Sequence, residues 1–148
     1  MPSRRPLPPV TLAEVSTLAE LLAWRVAQTP QGDAYLLHEA ASGQWRPVSW
    51  QAVATQVGQM TQALATLDLA RGARIALLLP NGLEAVVLDQ AALALAMVPL
   101  PMHALDNPAS IGYILNDSEA SLLVVQSLAQ WQAIAALAEA NGLVAYFD

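Results

Sequence analysis

The side chains that could do chemistry in this chain are few. His38 and His103 are its only imidazoles, it has no cysteine, and its six basic residues are all arginine. Without cysteine it can form no disulfide, thiolate nucleophile or cysteine-based metal site. Without lysine, any step that needs an amine must draw it from outside this segment. The two histidines lie far apart, with no acidic or cysteine partner at ligand spacing, so neither a metal site nor acid–base work is expected of them. His103 follows a predicted strand end, where loops often line a site, and is the better candidate of the two.

Pro80-Asn81-Gly82 also follows a predicted parallel strand and opens a helix. Nucleotide-binding turns occupy that place in doubly wound folds. Only one glycine is present, however, so a tight turn is the expected reading. Asp106, Asp117 and Glu119 read as helix-end groups. Trp24, Trp45, Trp50 and Trp131 read as core or interface residues rather than the lining of a lipid tunnel. The reading assigns no catalytic, cofactor-binding or metal-ligating residue to this chain.

The elements that would position such residues follow from pattern. Residues 1–10 are proline-rich and read as an irregular arm, and residues 11–148 as one α/β portion. Thr17-Leu18-Ala19-Glu20 is a capping box, and Thr11-Leu12-Ala13-Glu14 offers a second start. The helix runs to about Gln28 and stops at Thr29-Pro30. Ala34–His38 and Gln44–Val48 read as a hairpin around Ala40-Ala41-Ser42-Gly43. Ser49 then caps a helix whose Val53, Val57, Met60, Leu64 and Leu67 share one face.

From Arg71 the pattern changes to alternating strand and helix. Ile75–Leu79 is a continuous apolar run suited to a strand covered on both faces. Leu83 to about Ala96 is a helix apolar nearly all round, and so expected to be buried. Val98–Leu100 is the next strand. Asp106 or Asn107 caps a helix with Pro108 in its first turn, running to Asn116. Leu122–Val125 is a third parallel strand. Leu128–Ala140 is a helix with Gly142 at its C-cap, and Leu143–Phe147 starts a fourth strand. The predicted fold class is α/β: an open, mostly parallel sheet with flanking helices, preceded by a small hairpin. The end just after an apolar strand suggests a cut through a larger fold.

Composition limits the function classes. Hydrophobic residues make up 55% and charged residues 12%, about half the usual charged share. Such a chain is expected to bury surface against a partner, either the remainder of its own polypeptide or a second copy in a homo-oligomer. A net charge of −6 argues against nucleic-acid binding, which needs a basic face; Arg4/Arg5 and Arg71/Arg74 are too small as clusters to change this. Arg4 and Arg5 are followed by Pro6, Pro8 and Pro9 rather than an apolar run, so no signal peptide is expected. Asp89, Gln90, Pro99 and Pro101 interrupt the most apolar stretch, which is therefore no membrane span. A cytoplasmic protein is the expectation, with a peripheral place on the membrane left open.

Five local patterns carry a resemblance. They are Ala27-Gln28-Thr29-Pro30 with Ala34-Tyr35; Val48-Ser49-Trp50; Gly72-Ala73-Arg74-Ile75 through Pro80-Asn81; Asp89–Ala96 with Val98-Pro99-Leu100; and Tyr113-Ile114-Leu115-Asn116-Asp117-Ser118-Glu119-Ala120. In this order and spacing they resemble the N-terminal region of AMP-forming acyl-CoA synthetases, the adenylate-forming ligases, and most of all the long-chain fatty acyl branch. The family's Ser/Thr/Gly-rich phosphate loop ending in Pro-Lys-Gly has no counterpart. Neither do its ribose-holding acidic residue, its hinge arginine or its C-terminal-domain lysine. Met97 stands where the family commonly has a small residue.

The resemblance implies a parent enzyme that joins a fatty acid to CoA with ATP and Mg²⁺, through an acyl-adenylate. It implies that this segment binds none of these and is inactive alone. The alternatives are a non-catalytic interaction or dimerisation module, or a segment of an adenylation enzyme that loads a carrier protein. A small flavodoxin-like nucleotide binder is disfavoured by the missing glycine-rich turn.

Overall fold

A computed structural model describes residues 11–103 and 105–137, together with the backbone of residues 143–146. The chain divides into two compact units, Met1–Gln59 and Met60–Asp148.

The first unit opens with both predicted capping boxes. The Thr11 N–H donates to Glu14 Oε2 at 2.8 Å and starts a short 3-10 turn, Leu12–Glu14. The Thr17 hydroxyl accepts from the Glu20 N–H at 3.2 Å, and the Glu20 carboxylate accepts from the Thr17 N–H at 3.0 Å. That second box starts helix α1, Leu18–Gln28. Both candidate starts are therefore used, one per element. Strands β1 (Asp33–Glu39) and β2 (Gln44–Ser49) form an antiparallel hairpin, each slightly longer than the pattern implied. Gly43 takes a positive φ of 66° in its turn, and its N–H donates to the Glu39 carbonyl at 2.8 Å.

The hairpin narrows one expectation, that Trp45 is a core or interface residue. Trp45 is 64% exposed and packs its ring against His38 at a tilt of 57°, with ring centroids 5.0 Å apart. Register puts Leu36, His38, Trp45 and Pro47 on one face of the two-stranded sheet, and all four are exposed. Trp45 is thus not a core residue. Trp50 is half-buried, with the Arg25 guanidinium 5.3 Å from its ring centroid and the Tyr35 ring 6.3 Å away.

Helix α2, Trp50–Ala65, runs from the first unit into the second. The predicted cap forms: Ser49 Oγ accepts from the Ala52 N–H at 3.2 Å. Val53, Val57 and Leu64 of the expected stripe are buried and Met60 is half-buried. Leu67 lies past the helix end and is exposed, so the stripe is one residue shorter than its spacing suggested.

The second unit is built on β3 (Arg74–Leu78), β4 (Val98–Pro101), β5 (Leu122–Val125) and β6 (Leu143–Tyr146). All three pairings are parallel, in the order β4-β3-β5-β6. Helices α3 (Leu83–Ala94), α4 (Pro108–Ser118) and α5 (Leu128–Ile134) connect them. Ile75–Leu78 and Leu122–Val125 are buried without exception, which is why those segments read as continuous apolar runs rather than alternating ones.

The core forms on both faces of this sheet. Ala76, Leu78, Leu123 and Val125 pack with Met102, Ile111, Leu115 and Ile134, flanked by Trp131 and Leu100. Ile75, Leu77, Leu122 and Val124 occupy the opposite face. Helix α3 buries Leu83, Val87, Leu88, Ala91 and Ala92, half-buries Ala85, Val86, Asp89, Gln90 and Leu93, and exposes Glu84 and Ala94 near its ends. Gly72 (φ 81°) and Ala96 (φ 55°) bracket that βαβ turn, and the Gly72 N–H donates to the Ala96 carbonyl at 2.8 Å.

One of the two expected caps is used, and two helix ends differ from the expected ones. Asn107, not Asp106, caps α4, its side-chain oxygen accepting from the Ser110 N–H at 2.9 Å. Helix α4 runs two residues further, to Ser118, because Glu119 adopts the left-handed conformation (φ 50°) that closes it. Helix α5 ends at Ile134 rather than Ala140, with residues 135–137 as a turn. The expected C-cap at Gly142, the end of β6 at Phe147 and the arm over residues 1–10 lie outside the described residues.

Candidate functional site

In an open parallel sheet, ligands bind beyond the carboxyl ends of the strands, where the strand order reverses. Here that place is between β3 and β5. The connection after β3 leads to β4 on one side, whereas β5 and β6 continue on the other. The described loop residues at this end are 79–82, 102–103, 105–107 and 126–127.

The Pro80-Asn81-Gly82 turn is exposed and ends with Gly82 as N-cap of α3. Gly82 has extended backbone (φ −176°), a conformation open to any residue. A Cβ there would meet Glu84 Oε2 at 3.0 Å. The Glu84 carboxylate thus already lies at the positive end of the helix dipole, where it would repel a phosphate. The geometry is that of a tight turn, not a phosphate cradle.

At the β5 end, Ser127 caps α5 by accepting from the Gln130 N–H at 3.3 Å. The Gln130 side-chain oxygen accepts from the Gln126 N–H at 2.8 Å. These groups satisfy one another and complete the helix start.

His103 lies beyond β4 with its side chain 70% exposed. Its Nδ1 accepts from the Leu105 N–H at 3.3 Å and is 3.9 Å from Asp106 Oδ1. Asp106 is therefore an acidic neighbour of His103 at i,i+3, against the expectation that neither histidine has one. His38 belongs to the first unit and its partner is Trp45. Asp117 is exposed at the end of α4. Glu119 closes that helix and pairs with Arg74, Nη1 to Oε2 at 3.7 Å. Among the described residues no three His, Asp or Glu side chains are grouped to hold a metal ion. No described helix is long and apolar enough to cross a membrane.

A model of the AMP-binding enzyme family matches residues 22–146, most of the chain. The chain belongs to the AMP-binding enzyme family. Over 107 residues it is 33% identical to the sulfoacetate–CoA ligase of Cupriavidus necator, a match covering 72% of this chain and 20% of that protein. Over 91 residues it is 30% identical to fatty acyl-CoA synthetase A of Dictyostelium discoideum, covering 62% of this chain and 14% of that one. It therefore spans at most one fifth of the length of these curated relatives. In fold it is similar to NpsA-ThdA, an artificially fused adenylation–PCP di-domain from Klebsiella oxytoca, with a TM-score of 0.77 at 14% identity. That likeness covers 92% of this chain and 25% of that one.

The α/β architecture is thus that of an adenylate-forming ligase's N-terminal subdomain. The fatty acyl branch is not singled out among these relatives. With no lysine in the chain, the Glu84 carboxylate beside the 80–82 turn and no grouped acidic side chains among the described residues, these residues do not by themselves fit Mg²⁺ and ATP.

Proposed function

We propose that this chain is the N-terminal segment of an adenylate-forming ligase and that it supplies scaffold rather than catalytic groups. The parent enzyme would activate a carboxylic acid as an acyl-adenylate with ATP and pass the acyl group to a thiol. The observation that carries this reading is the family match over residues 22–146. The mutually bonded Gln126, Ser127 and Gln130 at the sheet's carboxyl edge, and the Glu84 carboxylate at the 80–82 turn, support the assignment of the chemistry to other parts of the parent.

The acid and the acceptor are a finer matter. Both curated relatives are named for ligation to CoA, one with sulfoacetate and one with fatty acids, which differ in size and charge. That spread weakens the fatty-acid reading. The likeness to an adenylation–PCP di-domain over 92% of the chain favours a second reading, in which the parent loads a carrier protein. This second reading has the broader structural support.

The test is to read the coding sequence beyond codon 148 and assay its product. Pyrophosphate exchange dependent on a carboxylic acid is expected, and a panel of fatty acids, sulfoacetate and amino acids would assign the substrate. CoA and a phosphopantetheinylated carrier, compared as acceptors, would separate the two readings. A product without acid-dependent exchange would overturn both.

A further inference from the structure

Among the described residues strand β4 is an edge of the parallel sheet, and its two prolines occupy particular places in the ladder. The Val98 N–H donates to the Ala73 carbonyl at 2.9 Å, and the Met102 N–H donates to the Leu77 carbonyl at 3.0 Å. Backbone groups alternate sides along a strand. Even-numbered residues of β4 therefore point their N–H groups at β3, and positions 99 and 101 point away from it. Both of those positions are proline, which has no N–H.

The register agrees, with Pro99 opposite Ile75 and Pro101 opposite Leu77. Neither proline removes a bond of the existing sheet. Together they remove both donors that the free edge of β4 would offer. What remains there is a row of carbonyl acceptors beside Val98, which is 49% exposed, and the exposed Pro101.

We infer that Pro99 and Pro101 close the β4 edge to strand addition, so that this sheet does not extend, or pair with a second copy, on that side. An incoming strand needs donors and acceptors in alternation, and β4 supplies acceptors alone. The opposite edge strand, Leu143-Val144-Ala145-Tyr146, has no proline and keeps its donors. A chain with 55% hydrophobic residues has reason to carry such a stop, because an open apolar edge is a template for aggregation.

The test compares the 148-residue chain with its Pro99→Val/Pro101→Val variant, with Pro101→Val alone as the milder change. In dilute monomer, hydrogen exchange should find the amides introduced at 99 and 101 unprotected while the Leu100 amide stays protected. At higher concentration, sedimentation should show the double variant self-associating roughly tenfold more tightly, from about two restored hydrogen bonds. Protected amides at 99 or 101 in the monomer, or unchanged association in both variants, would overturn the inference.

Discussion

A methyl group on Gly112 would lie 2.9 Å from the Leu137 Cβ and 3.0 Å from the Leu137 carbonyl oxygen. Gly112 is buried in the middle of α4, and Leu137 follows α5, so this contact sets how closely the two helices approach. Asn116, one turn further along α4, donates to the same carbonyl at 3.2 Å. A mid-helix glycine is otherwise unfavourable by roughly 0.5–1 kcal/mol relative to alanine. Here the close approach requires it.

Gly112→Ala should therefore destabilise the chain despite its better helix propensity, by about 1–3 kcal/mol from overpacking. Gly58, inside α2, is the control, because a Cβ there meets nothing within 4 Å. Gly58→Ala should stabilise by about 0.5–1 kcal/mol. Urea unfolding of both variants checks the contrast, and two shifts of the same sign would refute it.

Much of the fold was legible because it rests on local signals. The Thr17/Glu20 box, the Ser49 cap and the apolar runs at 75–78 and 122–125 mark their elements without tertiary help. The misreadings came where tertiary packing or backbone conformation decides. Helix α4 outlasts Asn116 because Glu119 accepts a left-handed φ, and glutamate gives no sequence cue for that. Residue type left Trp45 as core or interface, and only strand register turns it outward beside His38. Gly112 reveals its role only once α5 is in place. No functional group could be read at the site, because the chemistry-bearing residue types are scarce here and Gln126, Ser127 and Gln130 bond one another.

Ala96 takes a left-handed φ of 55° at the turn between α3 and β4. That conformation costs a non-glycine residue about 1–2 kcal/mol. Ala96→Gly should raise stability by up to about 1 kcal/mol, after the glycine's own entropy cost is subtracted. A rise in the thermal midpoint would bear this out, and a fall would show that the Ala96 methyl packs productively.

Leu78 is fully buried, on the sheet face shared with Val125, Ile111 and Ile134. Leu78→Ala should cost about 2–5 kcal/mol through lost burial and the cavity left behind. If this core holds the second unit together, near-ultraviolet circular dichroism from Trp131, which packs against the same cluster, should weaken in parallel. A loss of stability below about 1 kcal/mol would mean that the site collapses around the smaller side chain.

The most direct test of the central claim is calorimetric titration of the 148-residue chain with Mg²⁺–ATP. A segment that supplies only scaffold should give no binding heat beyond dilution, and the Glu84→Gln variant should behave alike. Saturable, stoichiometric ATP binding by the unaltered chain would contradict the account, and would place a nucleotide site within residues 1–148.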